Sequence, residues 1–147
     1  MCFDRSFSAG EVTSYARQLE AHEIDQLWVI EDCFFTAGVS LAAAALAVTE
    51  RLKVGIGILP AVARNVAITA MEIATLANLA PGRFTAGIGH GVQDWMEQIG
   101  ARTSSPLNTL EEVIVNVKRL LAGERVTFDG NHVHLTDVVL DQPPLIA

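Results

Sequence analysis

Cysteine is scarce in this sequence: among 147 residues only Cys2 and Cys33 occur, in no metal-ligand or redox spacing. That excludes a disulfide scaffold and makes a reducing cytoplasm the expected location. Positive charge is short as well. Ten Lys and Arg face seventeen Asp and Glu, for a net charge of −7. No diffuse positive field exists to draw in phosphate backbones or anionic lipid, so neither nucleic acid nor a membrane is an expected partner. Long apolar runs are also missing. The longest, around residues 37–48, is about half a membrane span, and no basic segment followed by an apolar one opens the chain. The expectation is neither export nor insertion. No low-complexity linker interrupts the sequence, so 1–147 reads as a single domain.

What is there suffices for a packed interior. Half the residues are apolar and 18% are charged, and a chain of this length buries roughly 70% of the surface its unfolded form exposes. Ser8-Ala9-Gly10-Glu11 has capping-box spacing, and Val12, Tyr15, Ala16 and Leu19 then recur at helical intervals, which predicts a first amphipathic helix. Leu27-Trp28-Val29-Ile30 is an unbroken apolar run, read as a strand buried on both faces. An Ala-rich helix follows over 39–49. Residues 53–60 combine β-branched side chains with glycine and close on a proline that cannot donate to a ladder, predicting a third strand. Asn65 is placed to cap a helix carrying Ile68, Met71, Ile73, Leu76 and Leu79, ended by Pro81-Gly82. Phe84-Thr85-Ala86-Gly87-Ile88 predicts strand four.

A short helix through Trp95, Met96 and Ile99 stops at Gly100, and a longer one presents Leu110, Val113, Ile114, Val117, Leu120 and Leu121 before Gly123. Val126-Thr127-Phe128 and His132-Val133-His134-Leu135 flank Asp129-Gly130-Asn131, a hairpin signal. Residues 142–147 read as the opening of another buried strand.

Four strand-then-helix units with short connections predict a parallel sheet with right-handed crossovers, wound both ways or closing into a barrel. In such folds ligands gather at the carboxyl ends of the strands, where loops and helix N-termini converge. Those ends supply Asp4 and Arg5, then Glu31, Asp32 and Cys33, then residues 59–65, then Gly89, His90 and Gly91. Gly87-Ile88-Gly89-His90-Gly91 either lets a flat cofactor or a phosphate approach the backbone or makes a plain tight turn. It is not the dinucleotide fingerprint, which needs two residues before its last glycine. His90 is a donor to an anionic ligand group or a solvated loop residue. Asp32 accepts a proton or hydrogen bond from a ligand, or else caps or pairs with a neighbouring loop. His132 and His134 share one face of the hairpin but lack a third ligand at suitable spacing, so no metal site is expected.

Taken in order and spacing, Leu27-Trp28-Val29-Ile30-Glu31-Asp32, Thr49-Glu50-Arg51-Leu52-Lys53-Val54-Gly55, Arg64-Asn65, and Pro81-Gly82-Arg83-Phe84 running into Gly87-Ile88-Gly89-His90-Gly91 resemble the luciferase-like monooxygenase superfamily. That superfamily includes bacterial luciferase, alkanesulfonate monooxygenase and the deazaflavin-dependent methylenetetrahydromethanopterin reductases. The resemblance covers nearly the whole chain. It implies an α/β, TIM-type (β/α)8 barrel, truncated here to about the first four β/α units plus a hairpin. It further implies reduced FMN or coenzyme F420 at the C-terminal face and a cis peptide or bulge at Gly57-Ile58. The cofactor-binding residues it implies are Gly57, Ile58, Asn65, Gly89, His90 and Gly91, and Asp32 is the candidate catalytic group. Many relatives place a histidine after strand two, where Asp32 and Cys33 stand here, and deazaflavin-dependent dehydrogenases place an acid where Val92 stands.

The function so implied is a flavin- or deazaflavin-dependent oxidoreductase acting on a small-molecule substrate. The alternative is a catalytically inactive half-barrel serving as an oligomerisation module. On either reading a homo-oligomer is expected, because four strands of an eight-stranded barrel leave two open edges and an uncovered apolar face. Association would use those edges or the helices over 39–49 and 66–80.

Overall fold

A computed structural model describes residues 1–144. The chain divides into two compact units, Met1–Leu59 with Leu76–Gly87, and Pro60–Thr75 with the described residues from Ile88 onward. The first unit is built on strands β1 (Cys2–Phe3), β2 (Gln26–Val29), β3 (Lys53–Pro60) and β4 (Phe84–Gly89), which hydrogen-bond in the order β1-β2-β3-β4. β1 and β2 are parallel, and so are β2 and β3, with Leu27 opposite Val54 and Val29 opposite Ile56. Along β3 and β4 the Val54 N–H donates to the Arg83 carbonyl and the Ala61 N–H to that of Gly89, so the partners ascend together. The sheet is parallel throughout, as βαβ connections require. Between those two bonds β3 advances seven residues and β4 six, the extra residue of a bulge.

One sheet face is a row of fully buried side chains, Leu27, Val29, Val54 and Ile56. Burying each contributes roughly 1.5–3 kcal/mol. On the other face Trp28 stands opposite Gly55, and a Cβ on Gly55 would lie 2.6 Å from the indole. Glycine is there because the ring takes the space. Helix α1 (Val12–Ala21) buries Val12, Ala16 and Leu19. The Ser8 N–H does donate to Glu11 Oε2 at 2.8 Å, but this box caps a 3-10 turn, Ala9–Glu11, that precedes α1. Tyr15, part-buried, packs with the buried Phe3 and with Phe7, with ring centroids 5.4–5.6 Å apart.

Helix α2 (Gly38–Ala47) starts where Glu31 Oε2 accepts the Gly38 N–H at 2.9 Å. A side chain on Gly38 would strike Ile56 Cγ2 at 2.8 Å, so the helix lies close on the sheet. Two charged groups fix the turn into β3. Glu20 accepts the N–H groups of Glu50, Arg51 and Leu52 at 2.9, 2.6 and 2.9 Å. Arg83, ahead of β4, donates to Thr49 Oγ1, the Leu52 carbonyl and the Leu46 carbonyl.

Helix α3 (Val66–Leu79) buries Val66, Ala70, Ile73, Ala74 and Leu76 and turns Ile68, Met71 and Leu79 outward. At 100° per residue those three fall on the face opposite the core stripe. The second unit adds α4 (Gln93–Gln98), α5 (Pro106–Leu121) and an antiparallel hairpin of β5 (Val126–Asp129) and β6 (His134–Val138). The expected second hairpin strand began at His132. Instead Glu112 of α5 accepts the N–H groups of Asn131, His132 and Val133, each at 3.0 Å, and withdraws them from the ladder. His132 therefore lies in the turn and does not share a strand face with His134. The anticipated strand over 142–147 has no strand at 142–144, and its remainder lies outside the described residues. Among the described residues no helix is long and apolar enough to cross a membrane.

Both clasping carboxylates sit below their ordinary range, Glu20 chiefly through the Arg51 N–H and Glu112 chiefly through that of Val133. A lowered folded-state value means stabilisation that is present above the unfolded carboxylate range and lost as pH falls through the folded value. Thermal melts of Glu20→Gln and Glu112→Gln should therefore fall below the parent at neutral pH, with the gap closing in acid. A gap that persists in acid would mean that the clasps act through packing.

Candidate functional site

In the first unit three strand ends converge in the chain's ladder register. β1 runs into Asp4 and Arg5. The Ser6 N–H donates to Asp4 Oδ1 at 2.9 Å and holds that carboxyl below its ordinary range. β2 runs into Glu31 and Asp32. Asp32 Oδ2 lies 3.7 Å from Arg5 Nη1, and the Asp32 carbonyl accepts the Phe35 N–H at 3.1 Å. Asp32 is thus paired with the loop after β1 through Arg5. The Arg5 guanidinium also sits over the Phe35 ring, 4.9 Å from its centroid.

On β3 the Gly57-Ile58 peptide is cis, at the position expected. Ile58 is part-exposed. β4 passes so near that a Cβ on Gly87 would sit 2.8 Å from the Ile56 carbonyl oxygen and 3.3 Å from Ile58 Cγ2. Gly87 is bare backbone because a side chain does not fit there.

The second unit holds the other candidates. The Ala61 N–H donates to the Gly89 carbonyl at 2.8 Å. Gly91 has φ +73°, and a Cβ there would meet Met96 Sδ and Pro60 Cβ at 3.1 Å, so both conformation and space demand glycine. His90 is exposed, and its Nδ1 donates to the Gly91 carbonyl at 2.7 Å, leaving Nε2 outward. Asn65 Oδ1 accepts the Ala67 N–H at 2.9 Å and caps α3, and its amide nitrogen is the group it can donate to a ligand. A cavity of about 80 Å³ beside it, lined by Arg64, His132 and His134 among others, has room for waters but not for a ring system. His134 Nδ1 pairs with Asp129 at 2.7 Å. Among the described residues no group of three or more His, Cys, Asp or Glu is placed to hold a metal.

Sequence reasoning named Arg5 as a strand-end residue without a role, and it passed over Phe34, Phe35 and the packing role of Gly87. The signal for the first pair was present. Two consecutive aromatics directly after a strand's polar end are unusual in a loop.

A family model described as luciferase-like monooxygenase matches residues 4–146. Over 124 residues the chain is 34% identical to 5,10-methylenetetrahydromethanopterin reductase of Methanolobus tindarius, covering 84% of this chain and 38% of that one. Its fold is similar to that of the coenzyme F420-dependent tetrahydromethanopterin reductase from Methanopyrus kandleri, with a TM-score of 0.85 and 19% identity over 98% of this chain and 46% of that one. A type II Baeyer–Villiger monooxygenase from Pseudomonas putida, the oxygenating constituent of 3,6-diketocamphane monooxygenase in complex with FMN, matches with a TM-score of 0.83 and 18% identity, covering 92% of this chain and 43% of that one. The chain spans less than half the length of each. Its fold is accordingly that of about four β/α units of their barrel, followed by a hairpin.

The close β3–β4 approach yields a direct test. Gly87→Ala must displace a backbone carbonyl, so denaturant unfolding should read a loss of about 1–3 kcal/mol. Gly10→Ala, whose nearest neighbour would be Ser8 Oγ at 3.8 Å, should be close to neutral. Equal effects would show that Gly87 is not held by contact.

Proposed function

The chain belongs to the luciferase-like monooxygenase family, and from that membership we propose that it contributes the first four β/α units of a barrel domain of a flavin- or deazaflavin-dependent oxidoreductase. FMN or coenzyme F420 is the cofactor, and a small organic molecule is the substrate. The observation that carries this reading is the match of the luciferase-like monooxygenase family model over residues 4–146, together with the parallel order β1-β2-β3-β4 of the strands. When bound, the cofactor supplies two-electron transfer at its central ring.

The chain's own residues fit that group. Gly57 and Ile58 in the first unit offer backbone and an aliphatic side chain against a ring. In the second unit Asn65 offers its amide nitrogen and His90 offers Nε2, and Gly89 and Gly91 are the glycines that the family resemblance assigns to the cofactor. With Nδ1 already spent on the Gly91 carbonyl, His90 can donate to an anionic group only as the imidazolium. Asp32 serves as the hydrogen-bond acceptor toward substrate, held in place by Arg5. Neither Cys2 nor Cys33 is in a disulfide, which supports a cytoplasmic location.

Self-association is part of the same reading. Ile68, Met71 and Leu79 form an exposed apolar stripe along α3, and burying such stripes against a second copy is the ordinary route to a homo-oligomer. This stripe alone favours the assembly-module alternative, in which the chain binds no cofactor.

Fluorescence titration with FMN and with F420 separates the readings. One of them should bind, and His90→Ala should weaken it by about tenfold, the size of one charge-assisted hydrogen bond. Binding of neither leaves only the assembly module. Light scattering should give a mass above 15.8 kDa, and Met71→Lys should lower it. A monodisperse monomer would remove the assembly claim.

A further inference from the structure

Trp28 lies on the sheet face opposite the row of Leu27, Val29, Val54 and Ile56. The register sets it beside Gly55. A Cβ on Gly55 would meet Cε3 and Cζ3 of the indole at 2.6 Å and Cδ2 at 2.8 Å, while a Cβ on Gly57 would meet Cε3 at 3.4 Å and Cζ3 at 3.8 Å. Positions two apart on a strand share a face. The benzo edge of one ring therefore runs along β3 past two successive positions of the same face, pressed on the first and only touching the second.

The order of the two glycines gives this arrangement a direction. β3 runs from Lys53 to Pro60, so Gly57 is nearer than Gly55 to the carboxyl end, the end at which ligands sit in parallel barrels. At Gly55 the indole leaves no room for even a methyl group. At Gly57 it leaves room for ordinary van der Waals contact and nothing closer. A flat ring that comes down onto this strand from the carboxyl end reaches Gly57 and goes no deeper, because the place beside Gly55 is taken. These contacts are made between two paired strands of one unit, so they hold whatever else covers the sheet.

We infer that Trp28 is the floor of the cofactor site, a positioning residue that fixes how far the FMN or F420 ring descends along β3. It acts from beneath Gly57 and takes no part in the chemistry. The inference rests on the oxidoreductase reading and adds to it the residue that sets the ring's seat.

Fluorescence titration and visible circular dichroism of FMN and F420 bound to the full chain test it in the parent, Trp28→Phe, Trp28→Ala, Gly55→Ala and Leu27→Ala. Trp28→Ala should weaken the bound cofactor about tenfold, the size of a lost aromatic contact, and change its visible dichroism, with Trp28→Phe between Ala and parent. Gly55→Ala, whose Cβ must displace the indole, should alter both readouts as well. Leu27 is fully buried on the other face, so Leu27→Ala should lower the melting temperature yet leave affinity and dichroism at the parent's values. Should Trp28→Ala not fold, Trp28→Phe and Gly55→Ala decide. The inference is overturned if either readout in those two variants matches the parent, or if Leu27→Ala shifts affinity and dichroism as much, since the effect would then be one of general packing. A parent that binds neither cofactor sinks the oxidoreductase reading and this inference together, whereas a parent that binds while the Trp28 variants match it sinks this inference alone.

Discussion

Close backbone approach on either side of β3 is the constraint on which the first unit depends. The Trp28 indole occupies the space beside Gly55, and the Ile56 carbonyl occupies the space beside Gly87. Both contacts lie within a strand whose alternate residues, Val54 and Ile56, are fully buried in register with Leu27 and Val29. A side chain at either glycine would push β3 off a neighbour and break that row. The absence of side chains at these two positions is thus a packing requirement.

The opposite end of the strands is fastened differently. There, connections are held by charged side chains accepting or donating to backbone groups that the ladder leaves over: Glu20 gathers three N–H groups ahead of β3, and Arg83 covers three oxygens around the same turn. In the second unit Glu112 does for the hairpin turn what Glu20 does for β3. Buried or half-buried backbone groups cost free energy unless paired, and a carboxylate pairs several at once. Such clasps can be rigid because nothing needs to enter or leave there. At the carboxyl ends the fastening is spread over separate loops: Arg5 pairs with Asp32, Asp4 accepts the Ser6 N–H, and Glu31 accepts the Gly38 N–H.

Much of this was legible in the sequence because it is local. The apolar runs indicated β2, β3 and β4, with β3 bounded at the residues expected, the strand-then-helix alternation indicated a parallel sheet, and the family resemblance implied the cis Gly57-Ile58 peptide. What escaped depended on partners far along the chain. Glu112 lies about twenty residues before the turn it clasps, so periodicity extended β6 too far toward His132. Arg5 and Asp32 are brought together only by the pairing of β1 with β2, so the sequence left open whether Asp32 was paired. The outward set of Ile68, Met71 and Leu79 fits helical periodicity as well as the core set does. Which stripe turned inward depended on the small residues Ala70 and Ala74 fitting against their neighbours.

Fold membership therefore says little about substrate. Proteins named for a pterin and for a camphane ketone share this framework, so the framework cannot be what distinguishes them. Discrimination has to come from side chains on the strand-end loops, as it does wherever one barrel supports many chemistries. In this chain the glycines of β4 are fixed by packing and leave no freedom to encode a preference. The loops at the other strand ends are bound by side chains instead, Asp4 to the Ser6 N–H, Asp32 to Arg5 and Glu31 to the Gly38 N–H, so it is at such positions that one framework can be given different preferences.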